Sequence, residues 1–156
     1  MKPKSGDKIK VIFFDIDGVL NCHNTKSMID ETCLNRLKHI IKETNAFTVM
    51  SSSWRDEIIH PEIRSPHSKW LINLIEDEEI KFIGCIPEVD ELNREVEVKA
   101  WLDETDFIIE SFVIIDDIDF GFWEEFPCNF IKTAGHWGNG LDESHMNRAI
   151  QILNRK

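Results

Sequence analysis

Apolar and polar positions divide the chain into five short apolar runs separated by segments of helical spacing. "KVIFFD" (10–15) is a continuous β-branched and aromatic run, the pattern of a strand buried on both faces. "MIDETCLNRLKHIIKETN" (28–45) repeats Leu34, Leu37, Ile40 and Ile41 at helical spacing, with Asp30 or Thr32 as its cap. "AFTVMS" (46–51) reads as a second strand, and "RDEIIHPEIRSPHS" (55–68) as a polar, proline-bearing connection. "KWLINLIEDEEI" (69–80) is helical by its Trp70, Leu71, Leu74 and Ile75. "KFIGCI" (81–86) is a third strand weakened by Gly84, and "NREVEVKAWLDET" (93–105) a further helix. "FVIIDD" (112–117) repeats the form of the first strand, and "NFIKTAG" (129–135) is a last one. "DESHMNRAIQILNRK" (142–156) closes the chain as a helix with an acidic start and a basic end.

Strands alternating with helices predict an α/β fold of three layers, Rossmann-like, with a central, mostly parallel sheet and helices on both faces. Without a repeat, a low-complexity tract or a linker, residues 1–156 read as one domain, with 1–8 a loose lead-in.

Composition narrows the function classes. Ten Phe and five Trp supply a core that a disordered chain would lack. A formal charge of −11 repels polyanions, which excludes a broad, non-specific nucleic-acid surface. A small phosphorylated ligand, captured locally through a metal and one or two cations, stays compatible with that charge. Cys22, Cys33, Cys85 and Cys128 have no CxxC spacing, so they read as reduced thiols rather than a zinc or redox motif. "VIFF" is too short for a signal-peptide apolar region and no run is long enough to span a bilayer. These readings place the protein in the cytoplasm with no membrane partner; they leave its oligomeric state open.

Functional groups of open parallel sheets gather beyond the carboxyl ends of the strands. Asp15, Asp17, the serines of "SSSWR" (51–55), Asp116 and Asp117 each follow an apolar run, so three strand ends send carboxylates and hydroxyls to one edge. Carboxylates this close resist leaving water unless a cation compensates them. A small set of hard oxygen ligands suits Mg²⁺, which shares its shell with substrate phosphate. Asp15 is then both ligand and candidate nucleophile, since carboxylate attack on phosphorus splits one displacement into two. Asp17 is the candidate acid and base, and Gly18 lets the chain turn directly after the strand.

"DIDGVL" resembles motif one of the haloacid dehalogenase (HAD) superfamily, Asp-x-Asp-x-(Thr/Val)-(Leu/Val). "FTVMSSS" is similar to motif two, Lys99 in "EVKAWL" to the motif-three lysine, and "FVIIDD" to the motif-four acidic pair. The combination most resembles the small HAD domains of multifunctional RNA-repair ("Swiss Army Knife") proteins. The resemblance implies a phosphatase with Asp15 as nucleophile, Asp17 as general acid/base and Lys99 neutralising charge. It implies Mg²⁺ on the Asp15 carboxylate, the Asp17 carbonyl and the motif-four acid, Asp117 first with Asp116 in support. Ser52 is the first choice of phosphate-binding hydroxyl, with Ser51 and Ser53 left open as alternatives, and Ser53, Gly18 and Arg55 are also expected on substrate. The short spacings from Asp15 to Ser52 and from Ser52 to Lys99 leave little room for a cap domain, and hence an open site. The implied substrate is a phosphorylated small molecule or a nucleic-acid end.

Each motif has a plainer reading. An isolated DxD pair usually faces solvent, a lone lysine usually solvates its helix, and a serine run usually caps a turn. Trp54 and Arg55 suit a base and a phosphate, or equally a packed indole and an internal ion pair. His136 and Trp137 in "GHWGNGL" suit the site mouth or a tight turn, and His23 suits substrate contact or solvent. Phe120, Phe122, Trp123 and Phe126 read as core. The joint order over four elements favours the enzyme. A receiver-like phospho-acceptor module is the rival, disfavoured because its phospho-acceptor lies on a later strand than its acidic pair, whereas here the strand-one pair is DxD with Gly next; a catalytically silent Mg²⁺-binding domain is another.

Overall fold

The first strand alternates its side chains between two cores. The computed structural model describes residues 2–155; Met1 of the expected lead-in and Lys156 of the expected last helix lie outside the described residues. In β1 (Lys8–Phe14), Ile12 and Phe14 face one apolar cluster, while Val11 and Phe13 face another. All four are fully buried, which explains the unbroken apolar run.

The remaining strands are β2 (Phe47–Met50), β3 (Phe82–Cys85), β4 (Ile108–Asp116) and β5 (Phe130–Lys132). They form one sheet in the order β3-β2-β1-β4-β5, with every neighbouring pair parallel. The helices are α1 (Glu31–Thr44), α2 (Asp56–Ile59), α3 (Lys69–Glu76), α4 (Arg94–Glu104), α5 (Phe122–Glu125) and α6 (Glu143–Leu153). Leu37, Ile40 and Ile41 of α1, Leu71 and Leu74 of α3, and Ala149, Ile152 and Leu153 of α6 pack on one face. Val98 of α4 and Phe122 of α5 pack on the other. This is the three-layer, Rossmann-like α/β arrangement the pattern predicts.

Local chemistry sets the element ends. Asp30 caps α1, accepting a hydrogen bond from Cys33 N at 3.0 Å, so it and not Thr32 is the cap. The polar stretch between β2 and α3 forms α2 and three 3₁₀ turns, two of them opened by Pro61 and Pro66. The helix α6 begins on an Asp142–His145 capping box but has no basic residue in its last turn, because it ends at Leu153, before Arg155. Trp123 is 43% exposed, so of the aromatic group expected in the core only Phe122 is fully buried. The lead-in is tied to the body by Gly6 N, which donates to Asp106 O at 3.0 Å.

The connection order reverses at β1: the chain lays β2 and β3 to one side, then crosses to place β4 and β5 on the other. The crevice beyond the carboxyl ends of β1 and β4 is thus the switch point of the sheet, where such folds bind ligands.

Candidate active site

Backbone hydrogen bonds continue past the strand ends and fix the residues that follow. Asp15 N donates to Ile115 O (3.1 Å), Ser51 N to Phe14 O (2.9 Å) and Thr133 N to Asp116 O (3.0 Å). Four neighbouring strands therefore hold Asp15, Ser51, Asp116 and Thr133 along one edge.

Asp15, Asp116 and Asp117 each present a carboxylate oxygen, and these oxygens lie within 4.8 Å of one another. Asp116 is 0% exposed, Asp15 is buried, and Asp117 is half-buried. Burial pushes the Asp15 carboxyl up to about 6, the Asp117 charge adding to the effect and Arg94 opposing it. Burial and the Asp15 charge push Asp116 up to about 9, again against Arg94. An all-oxygen set of three crowded carboxylates, in which Asp15 and Asp116 have strongly disfavoured ionised forms, fits a hard divalent cation such as Mg²⁺.

Close approach is secured by glycine. Gly18 has φ +82, and a Cβ there would overlap the Asp117 carboxylate. Gly135, φ +78, closes over the same carboxylate, where a Cβ would lie 3.3 Å from Asp117 Oδ2. Gly18 N donates to Asn21 Oδ1 (3.0 Å), and Gly18 O accepts from Thr133 Oγ1 (2.7 Å). Both backbone groups of Gly18 are thus used by the chain itself. Its observed place is conformational, the turn expected of it directly after the strand.

Asp17 projects from the turn after β1 and is exposed. Its Oδ1 accepts from Asn21 Nδ2 and its Oδ2 from Trp54 Nε1, each at 3.0 Å. The Trp54 ring stands edge-on to Trp70, with centroids 4.9 Å apart. The indole expected to stack on a base or to pack thus does the second, and also orients Asp17.

The three serines separate. Ser51 continues the Phe14–Met50 register opposite Asp15, and its buried hydroxyl has no partner among the described residues. The Ser52 hydroxyl accepts from Trp54 N at 3.2 Å and caps the following 3₁₀ turn. Ser53 is exposed and borders a cleft of about 560 Å³ that also touches Arg55, His60, Glu88 and Arg94.

The cation at the cluster is Arg94, not Lys99. Arg94 Nη1 lies 3.3 Å from Asp116 Oδ2 and 3.9 Å from Asp15 Oδ1, under the Phe120 ring at 4.3 Å. Lys99, 140° further round α4 by helical geometry at about 100° per residue, pairs with Glu125 at 3.2 Å and makes no ion pair with the cluster. Arg55 is likewise spent internally. It is 5% exposed, pairs with Glu97 Oε1 at 2.8 Å and donates to Ser52 O at 3.1 Å. Both Nη groups are committed within the protein, while the buried Nε has no partner among the described residues. Reading the sequence missed Arg94, Asn21 and Thr133. Thr133 obeys the strand-end rule that found the aspartates, and Asn21 stands one helical turn beyond Asp17.

A family model described as "HAD domain in Swiss Army Knife RNA repair proteins" matches residues 11–146. No curated protein and no solved structure matches the chain. Among the described residues, no helix is long and apolar enough to cross a membrane.

Proposed function

The chain belongs to the family of HAD domains in Swiss Army Knife RNA repair proteins, a family of HAD-type phosphohydrolases, and from that premise we propose that it is a Mg²⁺-dependent phosphomonoesterase acting through an aspartyl-phosphate. The observation that carries this reading is the meeting of Asp15, Asp116 and Asp117 at the sheet's switch point, faced by one guanidinium. Asp15, Asp116 and Asp117, with the Asp17 carbonyl, would hold the metal. When bound, Mg²⁺ would neutralise phosphate charge and lower the repulsion between substrate and nucleophile.

The chain's own groups do the rest. An Asp15 oxygen attacks phosphorus as the bond to the leaving alkoxide breaks, and Asp17 gives that oxygen its proton. Asp17 then takes a proton from water, which attacks the phosphoryl group, frees inorganic phosphate and returns Asp15. Arg94 fills the role expected of Lys99, offsetting charge on the nucleophile and the transferring group. Ser51, buried beside Asp15 with a free hydroxyl, is a better donor to a phosphoryl oxygen than the expected Ser52.

The substrate reading is a phosphorylated nucleic-acid end or nucleotide. The family description supports it, and so does the lack of an inserted cap domain between the elements among the described residues. The charge of −11 means that the end alone is gripped, without a broad basic surface. Four free cysteines suit a cytoplasmic setting. The deciding experiment is Asp15→Asn. Phosphate release from aryl phosphates and phosphorylated oligonucleotides is expected to vanish with the melting transition retained; turnover at the wild-type rate would remove Asp15 as nucleophile.

A further inference from the structure

We propose that His23, His136 and Trp137 form a stacking platform for the nucleobase that adjoins the phosphorylated end of a single strand, a base subsite resting on the phosphohydrolase reading above. Trp137 is 83% exposed, against 43% for Trp123, the next most exposed tryptophan. Its ring is stacked on His23, with centroids 5.8 Å apart and planes at 29°. His136 meets it edge-on at 5.0 Å.

The platform is built rather than loose. His23 N donates to His136 O at 2.7 Å, and His23 Nδ1 lies 3.0 Å from the same oxygen. Gly138 N donates to Gly135 O (3.1 Å), Leu141 N to Val19 O (2.8 Å) and Cys33 Sγ to Asn139 O (3.4 Å). Gly140, φ +61, lies so close that a Cβ would meet Val19 O at 2.8 Å. The loop after β5 is therefore pinned to the loop after β1 on both sides of an indole left in water. An aromatic ring presented in this way loses little further freedom when a ligand stacks on it.

Position and chemistry select the ligand. Gly135 abuts the Asp117 carboxylate. Trp137 is two residues on, so its Cα lies within about 7.6 Å of that of Gly135. A phosphate at Asp15 thus leaves the platform about one nucleoside away. Stacking suits a chain of charge −11, because a base presents a neutral π-face and needs no basic surface. A protein partner would need a wide apolar patch, whereas Asn24, next in sequence to His23, and Asn139, two residues after Trp137, are exposed and polar. The open edge admits a strand end.

The test uses oligonucleotides with one terminal phosphate and either a base or an abasic sugar at the terminal residue. Wild type is expected to prefer the base-bearing end in kcat/KM, and Trp137→Ala to reduce that preference about tenfold, chiefly through KM. An unchanged preference in the variant overturns the platform and leaves the hydrolase standing. Binding of the same oligonucleotides to Asp15→Asn, with and without Trp137→Ala, is read by fluorescence anisotropy and needs no turnover. Base-dependent affinity lost with Trp137 upholds the platform even if no substrate is hydrolysed, which sinks only the hydrolase reading. A mononucleotide showing the same Trp137-dependent gain as the oligonucleotide would overturn the assignment to strand ends.

Discussion

Arg94 and Lys99 sit five residues apart on α4, and only the first faces Asp15. The guanidinium reaches both Asp15 and Asp116 while resting on the Phe120 ring, so it is held by three contacts before any substrate arrives. A preorganised cation at developing negative charge is worth on the order of 10²–10³ in rate. Arg94→Ala is therefore expected to lower kcat by about that factor, whereas Lys99→Ala removes one exposed ion pair and is expected to change kcat by less than about twofold. Steady-state kinetics on one substrate decides between them: a large loss in Lys99→Ala with a small one in Arg94→Ala would restore the lysine. A sequence shows that a cation follows the serines and precedes the acidic pair, but not which side of the helix meets the sheet edge. The mean apolar pattern of α4 is too weak to orient it, since Glu97 is one of its buried positions and Val96 one of its exposed ones.

At the scale of elements, that buried glutamate joins two of them. Glu97 is 2% exposed; one oxygen pairs with Arg55 at 2.8 Å and the other accepts from Val89 N at 2.8 Å. Arg55 in turn holds the Ser51 and Ser52 carbonyls, so α4 and the segment before it are tied to the serine turn after β2. Removing one partner of such a pair strands the other charge, which costs about 3–5 kcal/mol. Glu97→Ala is expected to lose that much stability in urea unfolding, against less than about 1 kcal/mol for the exposed pair in Glu125→Ala. Equal losses would refute the buried tie. Sequence reading recovers what is local and repetitive: the five apolar runs, the Asp30 cap among two candidates, and the aspartates at the ends of β1 and β4. It shortens β4, because Glu110 and Ser111 interrupt the apolar pattern; the strand keeps them by pairing Glu110 with Lys8 and Lys10 and the Ser111 hydroxyl with Leu153 O. It offers an internal ion pair for Arg55 and packing for Trp54 but cannot name their partners Glu97 and Asp17, which lie 42 and 37 positions away.

For the whole molecule, the acidic cluster makes stability a function of pH and metal. Asp15 and Asp116 rise from an ordinary value of 3.8 to about 6 and about 9. Between pH 4 and 9 the folded, metal-free chain thus binds protons that the unfolded chain has released, so its stability falls as pH rises across that window. The contribution is complete below about pH 4 and is lost as pH passes about 6 for Asp15 and about 9 for Asp116. Asp77, Asp90 and Glu88 are shifted the other way and act at the acid side of this range. His60, held up by Glu88, adds a fall of the same sign, and subtracting the profile of Asp116→Asn isolates the cluster from it. Metal-free wild type is expected to lose melting temperature from pH 5 to 9 more steeply than Asp116→Asn. Metal binding requires the ionised carboxylates, so Mg²⁺ should release protons and raise the melting temperature more at pH 8 than at pH 5. Calorimetric melts with and without Mg²⁺ at the two pH values measure both slopes. Parallel profiles for wild type and Asp116→Asn, or a Mg²⁺ shift no larger at pH 8, would mean that the three carboxylates are not what couples this fold to a metal.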